Sequence, residues 1–267
     1  MIANFWPALG LTFFAGMSTA VGSLIAFFLK GGDRRILAIA LGFSAGVMIF
    51  ISLTELLPQG QAALSTQLGT QAGGSWAMAC FVIGMLLMGA IDRLIPTTHN
   101  PHEIRDFQHE NLNADEQARL LRMGIFMGMA IFIHNFPEGI STFVTALQDP
   151  ALGFSIAIAI ALHNIPEGIS VSVPIYYATG SRGKAMLYSS LTGFSEPVGA
   201  LAAYGLLVAH MSEFYFGGLL AIVAGMMIYI SFDELLPSAQ EYGEHHLSLY
   251  GLLGGMILMG LSLLFFR

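Results

Sequence analysis

Charge is scarce in this chain of 267 residues: Asp, Glu, Lys and Arg make up 10% of it, while 55% is apolar and mean hydropathy is +0.70. A soluble domain carries roughly a quarter charged residues, so water is excluded as the main solvent. Basic residues are scarcest, 10 Lys and Arg against 17 Asp and Glu, and they form no patch able to neutralise phosphates. No nucleic-acid partner is therefore expected. The single cysteine, Cys80, excludes an internal disulfide. There is no P-loop for ATP, no H-E-x-x-H of a metalloprotease and no E-x-x-H of a di-iron bundle. The N-terminus lacks the basic region of a cleaved signal peptide, so the first apolar run is expected to remain as a span.

What the chain has instead is long apolar runs. A helix needs about 20 such residues to cross a hydrocarbon core of roughly 30 Å. Eight segments qualify, at about 5–29, 36–57, 75–95, 119–146, 151–177, 184–209, 214–237 and 248–266, with Pro58, Pro96, Pro150 and Pro237 expected to punctuate their ends. The fold class is thus all-α integral membrane, a single domain of eight transmembrane helices over 1–267 in the lipid bilayer.

Basic residues are retained on the cytoplasmic side. Lys30, Arg34 and Arg35 lie in the first connection, Arg93, Arg105, Arg119 and Arg122 in or beside the third, and Arg182 and Lys184 in the fifth; Arg267 is the exception. This predicts odd loops inside and both termini outside in a multi-pass protein, whose membrane is expected to be the inner (plasma) membrane. The third loop, about 96–118, carries His99, His102, His109, Glu103, Asp106, Glu110, Asp115 and Glu116, and reads equally as a solvated linker or a weak metal collector. His245 and His246 beside Glu241 and Glu244 form a smaller cluster. Glu55, Asp92, Asp233 and Glu234 near span ends fit interfacial capping as well as a vestibule, and Met48 and Met227 read as packing.

Internal repeats set the arrangement. Residues 45–58 (A-G-V-M-I-F-I-S-L-T-E-L-L-P) match 224–237 (A-G-M-M-I-Y-I-S-F-D-E-L-L-P) at ten of fourteen positions, and G-M-L-L-M-G at 84–89 matches G-M-I-L-M-G at 255–260. The second span is thereby related to the seventh and the third to the eighth. Partners five spans apart run in opposite directions, which predicts an inverted repeat of three spans plus three around a central two. Such repeats place substrate near the midplane where the halves meet.

The central two spans carry H-N-F-P-E-G at 134–139 and, 29 positions on, H-N-I-P-E-G at 163–168. Ionisable groups inside a span are costly and usually functional. On a helix His134 and Glu138 share a face with Asn135, as do His163 and Glu167 with Asn164, so six donors line one seam. Pro137 and Pro166 free the carbonyls of Ile133 and Leu162, which predicts a local kink, and Gly139 and Gly168 permit close helix approach. Glu196, in S-E-P of the sixth span, is the natural further ligand. Imidazole, amide and carboxylate donors without thiolate suit Zn²⁺ and Fe²⁺, with Mn²⁺ and Co²⁺ admitted. An intramembrane metal-dependent enzyme is the alternative; it needs no inverted repeat and has none of the expected spacings.

The doubled motif, S-E-P-V-G at 195–199 and the paired E-L-L-P ends resemble the ZIP (zinc/iron permease) family, most closely a bacterial branch of it, over essentially the whole chain. The resemblance implies a transporter rather than an enzyme, with no catalytic cofactor, moving Zn²⁺ and Fe²⁺ and in the widest reading Mn²⁺, Co²⁺ and Cd²⁺ into the cytoplasm. It also implies a binuclear centre. One site would use His134, Glu138, His163 and Glu167; the other, richer in oxygen, Asn135, Glu138, Asn164, Glu167 and Glu196. A homodimer is compatible with it.

Overall fold

The computed structural model describes residues 4–28, 34–94, 114–207, 212–242 and 245–266. Most of the 96–118 loop, together with Lys30, Arg105 and Glu244, lies outside them, as do the side chains of Glu116 and Glu241. The described chain is helical, without a strand: α1 (Phe5–Ala26), α2 (Arg34–Ile51), α3 (Leu57–Leu68), α4 (Thr70–Leu94), α5 (Ala114–Gln148), α6 (Pro150–Thr179), α7 (Arg182–Gly193), α8 (Ser195–Leu207), α9 (Glu213–Ile230), α10 (Leu236–Tyr242) and α11 (His245–Phe266).

These helices make the eight expected spans. Seven stretches are each long and apolar enough to cross a membrane. The eighth is the sixth span, interrupted at Phe194 into α7 of 12 residues and α8 of 13, so neither half is long enough by itself. The interruption falls just ahead of Pro197, whose missing N–H leaves the Gly193 carbonyl without its helical donor.

Pro58 and Pro237 do not end their spans. Each follows a π-helical turn, Ser52–Leu56 and Ser231–Leu235, in which the N–H of Leu57 reaches the Ser52 carbonyl and that of Leu236 the Ser231 carbonyl. The wider turn realigns the backbone ahead of a residue that has no N–H, and the chain continues as α3 and α10. Pro137 and Pro166 likewise leave α5 and α6 unbroken.

Glycine contacts display the inverted repeat directly. A Cβ on Gly46 would come within 3.0 Å of the Leu252 carbonyl, and on Gly255 within 3.0 Å of that of Phe43. In the other half, the counterparts Gly225 and Gly84 stand equally close to the carbonyls of Phe81 and Ile222. The α2–α11 crossing is thus the image of the α9–α4 crossing. The same holds further in: Gly22 abuts Ile165 and Gly168 abuts Thr19 between α1 and α6, while Gly199 abuts Phe136 and Gly139 abuts Glu196 between α8 and α5. Gly16 and Gly193, themselves counterparts, abut each other on the pseudo-two-fold axis. The first span is therefore the partner of the sixth, with S-T-A-V-G at 18–22 standing for S-E-P-V-G at 195–199. Small residues are required wherever backbones meet this closely.

At the centre lies α6, buried along nearly its whole length against α1, α2, α5 and α7. Only Asp149 separates it from α5; its carboxylate accepts from the N–H groups of Ala151 and Leu152 at 3.0 and 3.1 Å, and Pro150 follows as the first helical residue. His134 and His163 are equidistant from this turn, at roughly 22 Å for a rise of 1.5 Å per residue, so they lie at one depth.

Candidate metal centre

All seven residues singled out in the sequence, His134, Asn135, Glu138, His163, Asn164, Glu167 and Glu196, are fully buried and gathered where α5, α6 and α8 meet. The imidazoles pair across the helices: His163 Nε2 lies 3.2 Å from Glu138 Oε2, and His134 Nε2 lies 3.6 Å from Glu167 Oε2. The antiparallel register brings each histidine to the carboxylate of the opposite copy. The pairing across helices, rather than within one turn, comes from the α5–α6 hairpin.

The asparagines are fixed by matching backbone carbonyls. Asn164 Nδ2 donates to Ala15 O at 3.0 Å and Asn135 Nδ2 to Thr192 O at 3.4 Å, and Ala15 and Thr192 are counterparts in the repeat. With its amide nitrogen anchored, each carboxamide has its oxygen left over. Asn164 also donates to Glu196 Oε1, which draws the third carboxylate into the cluster.

Two further side chains that sequence reasoning did not place in the site join it. Ser44 of α2 places its single hydroxyl proton between two acceptors, Glu167 Oε1 at 3.2 Å and the His163 carbonyl at 3.4 Å. Glu234, in the second π turn and partly exposed, brings Oε2 within 3.5 Å of His134 Nδ1. A capping reading of Glu234 therefore gives way to a place beside the cluster. Its counterpart Glu55 is buried and accepts from Gln59 Nε2 at 3.1 Å. The π turn was the missing signal: it turns a span-end carboxylate inward. His245 and His246 are exposed, far along the chain from the cluster, with the His246 ring stacked on Tyr250.

Each of the seven residues keeps at least one buried polar atom without a hydrogen-bond partner: both nitrogens of His134, Asn135 Oδ1, Glu138 Oε1, His163 Nδ1, Asn164 Oδ1, Glu167 Oε2 and Glu196 Oε2. Buried polar atoms in proteins are nearly always satisfied, and leaving one unsatisfied costs about 1–3 kcal/mol. Among the described residues, however, no three His, Cys, Asp or Glu side chains converge on one point as a closed metal cage. The carboxylates are turned to the imidazoles. The donor set is assembled along a seam, in pairs that a doubly charged cation can separate.

Comparison with known proteins is consistent along the chain. The family model described as ZIP Zinc transporter matches residues 92–263. A protein of Chlorobaculum parvum named zinc transporter ZupT is 51% identical over 260 residues, 97% of either chain. Proteins of the same name from Streptococcus mutans and Nitratidesulfovibrio vulgaris are 48% identical over the full length of both chains and 53% identical over 98% of both.

Proposed function

We propose, from the premise that this chain belongs to the ZIP family of zinc transporters, that the buried cluster on α5, α6 and α8 is where its cargo binds on the way across. The protein is a multi-pass membrane transporter of divalent metal ions, zinc foremost, and not an enzyme. The observation that supports the cluster as the cargo site is its eight buried polar atoms that make no hydrogen bond, spread over seven residues and at most loosely ion-paired. A divalent cation supplies the missing partner for nitrogen and oxygen alike and compensates buried carboxylate charge.

In this reading an arriving ion draws Glu138 and Glu167 away from the imidazoles and takes both kinds of donor. His134, Glu138, His163 and Glu167 form the nitrogen-containing position. Asn135, Asn164 and Glu196, sharing the two central glutamates, form the oxygen-rich one. Carboxylate, carboxamide and imidazole donors extend the cargo from Zn²⁺ to Fe²⁺, and more weakly to Mn²⁺, Co²⁺ and Cd²⁺.

The ion enters past Glu55, in the π turn that follows α2, and leaves past Glu234, the outer and inner carboxylates of the repeat. That direction follows from placing the basic ends of α5 and α7 in the cytoplasm, both termini outside and the protein in the inner membrane. Two charges moving inward then gain about 4.6 kcal/mol per 100 mV of inside-negative potential, at roughly 2.3 per charge. Alternate exposure of the seam to the two sides meets these requirements. A homodimer has apolar outward faces available on α4 and α11, where Leu86 and Ile257 are exposed.

The test is zinc uptake by purified protein in proteoliposomes. Glu138→Ala and Glu167→Ala are expected to abolish it while the folded protein is retained; uptake undiminished in both variants would remove the cluster from the path.

A further inference from the structure

Outside the cluster, one feature has both a shape and a charge pattern. An open groove of about 270 Å³ runs along the outer side of the α5–α7 contact, lined by Ile125, Met129, Phe132, Ile133, Tyr188 and Leu191, with Gly128 and Thr192 at its floor. Met129, Phe132 and Leu191 are exposed, so the groove opens to the surroundings, which for a membrane-spanning helix pair means lipid tails.

Both walls are headed by a cation at the same end. On α5 the lining residues recur at three- and four-residue steps, and the same stripe continues back from Ile125 to Arg122; on α7 it continues back from Tyr188 to Lys184. Both residues are exposed, and Arg122 folds back toward the helix start, its Nε donating to Ala118 O at 3.3 Å. Lys184 has no acidic partner among the described residues. Since α5 and α7 belong to spans that run in the same direction, the two cations share one membrane face.

We infer that this groove is a binding site for an anionic phospholipid, one acyl chain lying along α5 and α7 and the phosphate held between Arg122 and Lys184. A neutral zwitterionic lipid fits the apolar part alone. The negative headgroup answers the two cations, and basic residues at the membrane surface attract such lipids as a rule.

The site bears on transport because its wall backs onto the cluster. Thr192, at the floor, gives its carbonyl to Asn135. Phe132, in the wall, gives its carbonyl to Ser195 Oγ, next to Glu196. Ile133 directly precedes His134. A chain lodged in the groove therefore stiffens the α5–α7 contact that orients Asn135 and Glu196.

The experiment compares vesicles of phosphatidylcholine with vesicles in which a fraction is replaced by phosphatidylglycerol of the same acyl chains. Phosphatidylglycerol is expected to raise zinc uptake severalfold in the wild type. The double variant Arg122→Gln/Lys184→Gln should keep the rate measured in phosphatidylcholine and lose most of the stimulation. Both proteins meet the same bulk surface charge, so accumulation of Zn²⁺ at the vesicle surface cannot account for a difference between them. Met129→Trp, which fills the groove from a lipid-facing position, should also blunt the response. Native mass spectrometry of the detergent-purified proteins reads binding without transport: the wild type should retain phosphatidylglycerol that the double variant does not. Equal retention, or equal stimulation in wild type and double variant, overturns the inference whatever becomes of the cargo site.

Discussion

His134 and His163 occupy equivalent places in the repeat, and the backbone around them is equivalent to the level of individual carbonyls. What stands one step outside is not. The second copy has Ser44 bonded to Glu167, where the first copy has the buried aliphatic Val223 at the corresponding position of α9. The first copy has Glu234 beside His134, where the counterpart carboxylate, Glu55, is bonded to Gln59 instead. Glu196 in the sixth span corresponds to Thr19 in the first. Symmetry thus supplies the frame, and its departures make two unlike positions from one motif.

The largest expected effect probes what the copies share. Glu138→Gln and Glu167→Gln each remove a buried charge-assisted partner worth about 1.5–3 kcal/mol and should each lower zinc uptake on the order of 100-fold. A large loss in one variant and none in the other would break the equivalence of the copies. Next come the crossings. Gly139→Ala and Gly168→Ala each drive a Cβ within 3.0 Å of a carbonyl, of Glu196 and Thr19 respectively, and each should cost about 1–3 kcal/mol of stability, read as a matched fall in Tm.

The remaining predictions address the differences. Glu196→Thr makes the sixth span resemble the first and should shift competition between Fe²⁺ and Zn²⁺ severalfold toward Zn²⁺, with Thr19→Ala leaving the ratio unchanged. Ser44→Ala removes one hydrogen bond of about 1 kcal/mol and should raise KM for zinc roughly fivefold at constant maximal rate. Val223→Ser, which supplies the first copy with a hydroxyl at the corresponding place, tests whether that brace is transferable.

The doubled motif and two of the repeat pairs were legible because they hold matching buried residues, such as Met48 and Met227 or Met88 and Met259, and matching glycines at helix crossings, such as Gly46 and Gly225, within runs long enough to align. The pairing of the first span with the sixth was not legible. Its contacts are made by backbone through small residues, and S-T-A-V-G and S-E-P-V-G share only Ser, Val and Gly. Ser44 was missed, and Glu234 was left between capping and a vestibule, because their partners are 123 and 100 positions away, and no local pattern encodes such a meeting. Pro58 and Pro237 were read as helix ends, since a rule about a missing N–H does not foresee a π turn that accommodates it.

The single residue between α5 and α6 has a consequence for how this protein can vary. With only Asp149 between the arms, adding or deleting one residue within either helix between His134 and His163 would turn one motif against the other by about 100° and slide it roughly 1.5 Å, carrying one histidine out of line with the other. The hairpin is therefore an inflexible ruler: the two copies are free to exchange letters, but the count between them is fixed, and any growth of the chain has to be taken up in connections that measure nothing.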